Sequence, residues 1–155
     1  MKKTLLAILM LALAGSAFAL DVGVVGGSNY GLDRNYGGVT VGQDLGVLGQ
    51  NFTKFGVEAG FERGTDGLQN LNTWTATGSY FLGKAYGAGF AVKAGVAYID
   101  PEYSRNGWAG RVGAGVSFPI TPKVSIGADY AYQFAEAAIT KQSGNLLSLN
   151  AKYKF

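Results

Sequence analysis

The sequence predicts an all-β protein, an eight-stranded antiparallel up-and-down transmembrane β-barrel. After residue 19, apolar and polar residues alternate with period two along most of the chain, as in strands whose two faces meet different surroundings. Longer and shorter polar connections alternate between these segments, as in a barrel that carries loops at one end and turns at the other. The 25 glycines, nine tyrosines, nine phenylalanines and only three prolines also favour closely packed β-structure.

The first 19 residues predict a cleaved secretory signal. Lys2 and Lys3 precede an apolar run at about residues 5–14, and the small-residue pattern of residues 17–19 predicts cleavage before Leu20. A membrane-spanning anchor is the alternative, but the run is shorter than the roughly 20 apolar residues that span a bilayer. We therefore expect a signal peptide over 1–19 and one exported barrel domain over 20–155.

The charge balance of the mature chain is close to neutral. The predicted signal carries two of the 13 basic residues and none of the 10 acidic ones, which leaves 11 basic against 10 acidic residues. No basic stripe alternates with aromatic residues, so nucleic acid is not an expected partner. The sequence contains no cysteine, and the exported fold must be stable without disulfides.

The first two predicted strands are less regular than the rest. They lie in LDVGVVGG and YGGVTVGQDL, and Gln43 interrupts the apolar face of the second. That interruption predicts either a β-bulge or a lipid-facing amide. The apolar positions are Val22, Val24, Val39, Val41 and Leu45.

Six clean strands follow. They cover residues 54–62, 72–82, 89–99, 107–118, 124–133 and 146–155. In each strand one face carries bulky apolar residues and the other carries small, polar or charged residues. The polar connections SNYGLDRN, RGTDGLQN, IDPEYSRN and FAEAAITKQSGN, of about 8–12 residues, define a loop end. Shorter connections near GVLGQN, LGKAYG and PITPK define the opposite turn end, and all three prolines lie in connections.

The bulky apolar face is expected to point outward. A soluble ligand-carrying barrel would place large apolar residues inside, but an eight-stranded interior has room only for small residues and a few long charged ones. An apolar exterior on all sides requires lipid. Aromatic residues cluster near both strand ends, as in membrane-interface girdles. They are Trp74, Tyr98, Trp108 and Tyr132 at the loop end, and Tyr80, Phe90, Phe118, Tyr153 and Phe155 at the turn end.

The inward face then carries a set of charges that we expect to form ion pairs, since an unpaired buried ion is costly. Glu58, Lys93, Arg111 and Asp129 lie near strand centres, with Lys54, Glu62, Lys152 and Lys154 nearer the ends. Two interpretations remain open. The charges form either a structural plug that cross-links the barrel or a gate whose pairs exchange partners and admit small solutes. We favour the plug because eight strands leave little bore.

The last strand, LLSLNAKYKF, can close against the first, and closure is compulsory in lipid because unpaired backbone groups cannot turn to water. With this ending the whole mature chain resembles the small eight-stranded bacterial outer-membrane barrels of the OmpA, OmpX and opacity-protein type. The resemblance implies an outer-membrane location among lipid. It also implies that the barrel-assembly machinery reads Tyr153 and Phe155 as an insertion signal, and that the lumen holds a similar network of acids and bases.

The sequence contains neither histidine nor cysteine, which excludes Ser-His and Cys-His nucleophilic pairs and histidine-based metal sites. We therefore expect no enzyme activity, no cofactor and no metal.

Two functions remain. The first is a monomeric barrel with a structural role in the envelope or a role in surface contact through its loops. The second is a narrow channel for ions or small solutes through the charge-lined lumen. Candidate contact residues in the loops are Tyr30, Asp33, Arg34, Tyr36, Tyr103 and Arg105.

Overall fold

The computed structural model describes residues 20–30, 34–45, 54–65, 69–136 and 142–155. They form eight strands in one closed barrel in which each strand pairs with its neighbours in sequence. The strands are β1 (Leu20–Tyr30), β2 (Arg34–Asp44), β3 (Phe55–Thr65), β4 (Asn70–Ala85), β5 (Ala88–Pro101), β6 (Gly107–Pro119), β7 (Val124–Ala135) and β8 (Gly144–Lys154). The predicted fold class is confirmed. The predicted signal, 1–19, lies outside the described residues.

The barrel closes where β8 pairs with β1. The pairing is antiparallel and runs from Asp21 opposite Lys154 to Tyr30 opposite Asn145. The backbone N–H of Phe155 extends it by donating to the carbonyl of Leu20 at 3.0 Å. The apolar alternation therefore reaches the end of the chain because the last strand has a partner on each side.

The stagger of the strands sets the width of the barrel. Following paired residues once around the barrel from Leu20 leads back to β1 at Tyr30, so the stagger from residue 20 to residue 30 is ten residues. With about 3.3 Å per residue and about 4.8 Å between strands, this stagger gives strands tilted by about 41° and a backbone radius of about 8 Å. Such an interior is filled by side chains.

The registers place the bulky apolar residues outside. Val24, Val112 and Leu149 are 59%, 48% and 69% exposed. Aromatic rings of this outward face pack in contact near both ends. These are Phe61 with Trp74 (4.4 Å between centroids) and Tyr98 with Trp108 (5.1 Å) towards the loop end, and Phe55 with Tyr80 (5.0 Å) and Tyr153 with Phe155 (4.8 Å) towards the turn end. Among the described residues, no helix has the length and hydropathy needed to cross a bilayer.

The irregularity predicted at Gln43 is not a bulge. Gln43 pairs in regular register with Leu20 and Val57 on the outward face, where it is 9% exposed. Among the described strand pairs, the register shifts instead in β4, between Phe81 and Gly83. The backbone pairing continues unbroken on both sides of Gln43, so β2 has no bulge at this residue.

The strands extend further into the connections than the sequence predicts. Among the described residues, 102–106 connect two strands at the loop end, and 86–87 and 120–123 do so at the turn end, whereas 31–33, 46–53, 66–68 and 137–141 lie outside the described residues. The ends of the predicted loops SNYGLDRN, RGTDGLQN and IDPEYSRN therefore belong to strands, and the predicted length of the third loop is wrong, because only residues 102–106 lie between β5 and β6. The connection predicted near GVLGQN, residues 46–51, lies outside the described residues.

Candidate functional site: the charged lumen

Among the described residues, four ion pairs follow one another through the lumen, and both members of each pair lie on the inward face. In order from the loop end to the turn end they are Glu62–Arg111, Lys93–Asp129, Glu58–Lys152 and Asp44–Lys154. Each pair joins strands that are not neighbours in the sheet, so the side chains connect separate parts of the wall.

The Glu62–Arg111 pair is the most buried of the four. The guanidinium donates to both carboxylate oxygens, Nη1 to Oε1 at 2.7 Å and Nη2 to Oε2 at 2.8 Å, and the side chains are 14% and 9% exposed for Arg111 and Glu62. Arg111 Nε also donates to Gln133 Oε1 at 2.8 Å. This fork geometry uses three donors of the guanidinium and fixes β3, β6 and β7 to one another.

The Lys93–Asp129 pair lies nearer the turn end. The two charged atoms are 2.6 Å apart, and Asn150 Nδ2 donates to the second oxygen of Asp129 at 2.7 Å. Gly115 leaves room for the pair, because a Cβ there would meet Asp129 Oδ1 and would approach Lys93 Cε to 3.2 Å. The carboxylate thus has a partner at each oxygen.

The remaining two pairs lead towards the turn-end opening. Lys152 donates to Glu58, and Lys154 Nζ is 3.2 Å from Asp44 Oδ2. The side chains of Lys154 and Asp44 are 44% and 64% exposed, so solvent weakens this last pair.

The structure joins the predicted charges in combinations that the sequence does not specify. Lys93 and Asp129 contact each other, whereas Glu58 contacts Lys152 and Arg111 contacts Glu62. Glu62 and Lys152, which the sequence places nearer the strand ends, are therefore full members of the set. Lys54 lies at the rim of the turn end.

The lumen is filled at the loop end. Arg34 is 4% exposed, and its guanidinium donates to Gln142 Oε1 at 2.9 Å and to Thr73 Oγ1 at 3.3 Å. Gln133, which accepts from Arg111, also donates to the backbone carbonyl of Gln142. The apolar side chains packed together beside this network are Leu71, Ala97, Ile99 and Ala109, with Ala135 against them.

The interpretation of Arg34 and Tyr36 as exposed loop residues is wrong. Strand β2 begins at Arg34, and both residues share the inward parity of Thr40. A Cβ at Gly27 would come within 2.7 Å of the Tyr36 hydroxyl, so the glycine opposite makes space for this ring. Extending the outward parity of Val39 and Val41 back towards residue 34 would have revealed both inward positions.

The other loop candidates are at the surface where the structure describes them. Tyr30 and Tyr103 are 59% and 78% exposed and Arg105 is exposed, while Asp33 lies outside the described residues. Asn70 Nδ2 donates to Glu102 Oε2 at 3.0 Å, and this hydrogen bond lowers the pKa of the Glu102 carboxyl.

Open space is concentrated at the turn end. A cavity of about 80 Å³ lies among the central ion pairs, whereas a cavity of about 470 Å³ opens at the turn end. Lys93, Asp129, Asn150 and Lys152 line both. The lumen is therefore asymmetric, wide at one end and packed at the other. Within the described ranges, no group of three acidic residues is arranged to hold a metal ion.

Tyr153 and Phe155 lie on the outward face at the turn end. They are 41% and 70% exposed, and their ring centroids are 4.8 Å apart. Their positions are those of a closing strand and an aromatic girdle.

No protein-family model matches the sequence, and no curated protein matches it either. Among solved structures, the chain is similar to a major outer membrane protein from Thermus thermophilus, with a TM-score of 0.68, 15% identity, and coverage of 90% of this chain and 100% of that chain. It is similar to the N-terminal β-barrel domain of Pseudomonas aeruginosa OprF, with a TM-score of 0.65, 16% identity, and coverage of 88% and 97%. It is also similar to Neisserial surface protein A, with a TM-score of 0.64, 17% identity, and coverage of 90% and 98%. The chain thus has the fold of the small eight-stranded outer-membrane β-barrels.

Proposed function

We propose that this chain is a non-enzymatic outer-membrane barrel that serves the cell envelope as a rigid, closed scaffold and presents its loop end outside the cell. The observation that carries the proposal is the filled lumen. The bidentate Glu62–Arg111 pair crosses the lumen. The buried Arg34 network and the apolar cluster that contains Leu71 and Ile99 fill its loop end. A barrel cross-linked in this way resists deformation and leaves little passage for solutes.

The proposed location rests on surface chemistry. An outward band of exposed apolar residues with aromatic rings near both ends suits a bilayer bounded by two interfaces. The sequence of residues 1–19 supports export. The outward Tyr153 and Phe155 suit recognition by the barrel-assembly machinery.

Location and export are tested together in a Gram-negative host. We expect the full chain to fractionate with the outer membrane, to shift in gel mobility on boiling, and to begin at Leu20 by amino-terminal sequencing. Recovery in the periplasm without detergent would instead indicate a soluble lipid-carrying barrel.

The assembly role of the terminal residue is tested by deleting Phe155. We expect less barrel to accumulate in the outer membrane, while the purified variant still folds in detergent. Equal accumulation of the variant and the unmodified chain would mean that the residue has no such role.

A narrow channel is the second candidate, and the wide turn-end cavity is the observation that favours it. Folded protein in a planar bilayer distinguishes the two functions. We expect no discrete conductance steps from the closed scaffold. Conductance steps that change with Arg111→Ala or Glu58→Ala would refute the closed scaffold and support the channel.

Surface contact through the loops is tested by replacing residues 99–106. Tyr103 and Arg105 are the exposed candidates there. Loss of binding to a cell surface, with unchanged outer-membrane yield, would support the contact role, and unchanged binding would leave only the envelope role.

We expect the protein to sediment as a monomer in both cases.

A further inference from the structure

We propose that the turn-end cavity binds a small solute carrying a carboxylate or phosphate group, through the ammonium group of Lys84 in its wall and that of Lys54 at its rim. The turn-end cavity is the space of about 470 Å³ bounded by these two lysines together with Ser79, Phe81, Gly89 and Ser117. Its volume lies in the range of about 300–1,000 Å³ that small-molecule sites occupy. It opens away from the packed loop end, so a solute would enter from the side of the turns.

The two lysines have charges that the lumen network does not use. Lys93, Lys152 and Lys154 each have a carboxylate partner. In the part of the chain that the structure describes, no carboxylate lies within 4.0 Å of Lys54 or Lys84. The adjoining connection, residues 46–53, contains no acidic residue. Among the described residues, the β3–β4 side of the cavity therefore carries two lysines that form no ion pair, of which Lys54, at the rim, also lies 5.9 Å from the centre of the Tyr80 ring.

The bulge in β4 directs Lys84 into the cavity. Phe81 pairs with Ala91 and Gly83 pairs with Phe90, so Leu82 is an extra residue in the ladder. In a regular strand Lys84 would share the outward parity of Tyr80, whereas the bulge pairs it with Gly89 on the inward face. Gly83 has a φ of 151°, a conformation that favours glycine. The local sequence is thus adapted to this direction of the side chain.

The wall between the two lysines offers both an apolar surface and hydroxyl groups. A Cβ at Gly89 would approach Phe81 Cε2 and Ser117 Oγ to 3.1 Å each, so the glycine lets the ring and the hydroxyl share the wall. Ser79 Oγ lies on the same side, 2.8 Å from the position a Cβ would take at Gly56. Ammonium and hydroxyl donors around one space suit an oxyanion, and the ring suits the carbon skeleton that carries it.

The acidic residues of the cavity limit where an anion can bind. Asp129 is held by Lys93 and Asn150, whereas the exposed Asp44 contacts Lys154 through Oδ2, and its Oδ1 lies 3.7 Å from the position a Cβ would take at Gly56. Asp21 lies on β1, across the barrel from β4 and β5. Repulsion from Asp21, and from Asp44 on β2 beside β3, favours an anion near Lys84.

The experiment titrates folded protein in a neutral detergent with citrate and, separately, with inorganic pyrophosphate. Binding is followed by calorimetry and by the backbone amide chemical shifts of Ser79, Phe81, Gly89 and Ser117. The test variant is Lys54→Gln with Lys84→Gln. The matched control is Lys123→Gln, which removes one lysine at the same end of the barrel, 5.9 Å from the Tyr153 ring, as Lys54 lies 5.9 Å from the Tyr80 ring.

We expect saturable shifts at these amides, an affinity at least about tenfold weaker in the double variant, and less than about a twofold change in the control. A response to citrate alone or to pyrophosphate alone identifies the carboxylate or the phosphate as the group recognised. Absence of saturable shifts, or equal loss in the double variant and the control, would overturn the proposal. Gel mobility before and after boiling confirms that each variant is folded. The assay requires neither a closed lumen nor an outer-membrane location, so its outcome is independent of the proposed function.

Discussion

Replacing Arg111 by alanine should destabilise the barrel more than any other single removal of a charge from the lumen. The substitution leaves the Glu62 carboxylate, 9% exposed, without the guanidinium that contacts both of its oxygens. It also removes the donor to Gln133 Oε1 and empties the volume of a long side chain near the centre of the barrel.

The expected loss in the free energy of unfolding is about 3–5 kcal/mol, the range for removing one member of a buried ion pair. Most of this loss comes from the carboxylate that stays buried, not from the attraction itself. The double variant Glu62→Gln, Arg111→Ala should therefore recover part of the loss, with a coupling energy of about 1–3 kcal/mol relative to the single variants Glu62→Gln and Arg111→Ala.

The assay is equilibrium urea unfolding in lipid vesicles, followed by the fluorescence of Trp74 and Trp108. Lys154→Ala is the matched control, because its pair with Asp44 is 3.2 Å long and largely exposed, and we expect it to change stability by less than about 1 kcal/mol. Equal losses for Arg111→Ala and Lys154→Ala, or strict additivity in the double variant, would refute the reasoning.

Three further changes test the packing, the outward face and the loop end. Gly113→Ala should cost about 1–3 kcal/mol of unfolding free energy because its Cβ would lie 2.7 Å from Ala131 Cα, whereas Gly110→Ala, with no atom within 4 Å, should change stability by less than about 0.5 kcal/mol; similar values would contradict the assigned faces. Val112→Arg, at the centre of the outward face, should cost about 2–4 kcal/mol in vesicles, and a neutral effect would mean that this face does not meet hydrocarbon. Asn70→Ala should raise the pKa of Glu102 towards its ordinary value by carbon-13 NMR titration, because the amide stabilises the charged carboxylate. That contribution to stability is present above the ordinary carboxyl pKa and disappears as the pH falls through the lowered value, so an unchanged titration would rule the hydrogen bond out.

Alternation predicts the strands of this protein because each strand separates two different environments. Bulky residues are needed where Val112 and Leu149 face outward, and small ones where Gly113 and Gly115 face the inside of a backbone cylinder of about 8 Å radius. The strand ends are not encoded in the same way. Backbone pairing continues through polar residues once the register is set, and for this reason Arg34 belongs to a strand and not to a loop.

The bulge in β4 was likewise beyond prediction from alternation. Tyr80, Phe81 and Leu82 are all bulky, so the pattern gives no parity at the point where it changes. Gly83 is the signal that was available, since an isolated glycine in a strand often marks a bulge. The inward apolar cluster around Ile99 was also missed. Ile99 faces inward like Lys93, two residues of the same parity on β5, but it is apolar like the residues of the outward face.

The pairing of the lumen charges follows from the tilt of the strands. Glu58 and Arg111 lie in one row of paired residues, which runs through Thr77 and Gly95. Each row of paired residues moves towards the loop end as it passes from one strand to the next, because of the stagger of ten residues. Three such steps, from β3 to β6, place Arg111 about 9 Å nearer the loop end than Glu58 along the barrel axis. Four residues along β3 raise Glu62 by about 10 Å relative to Glu58, which brings Glu62 level with Arg111. The partner of Arg111 is therefore determined by the geometry of the closed barrel, and a sequence that specifies both strand number and stagger specifies the ion pairs as well.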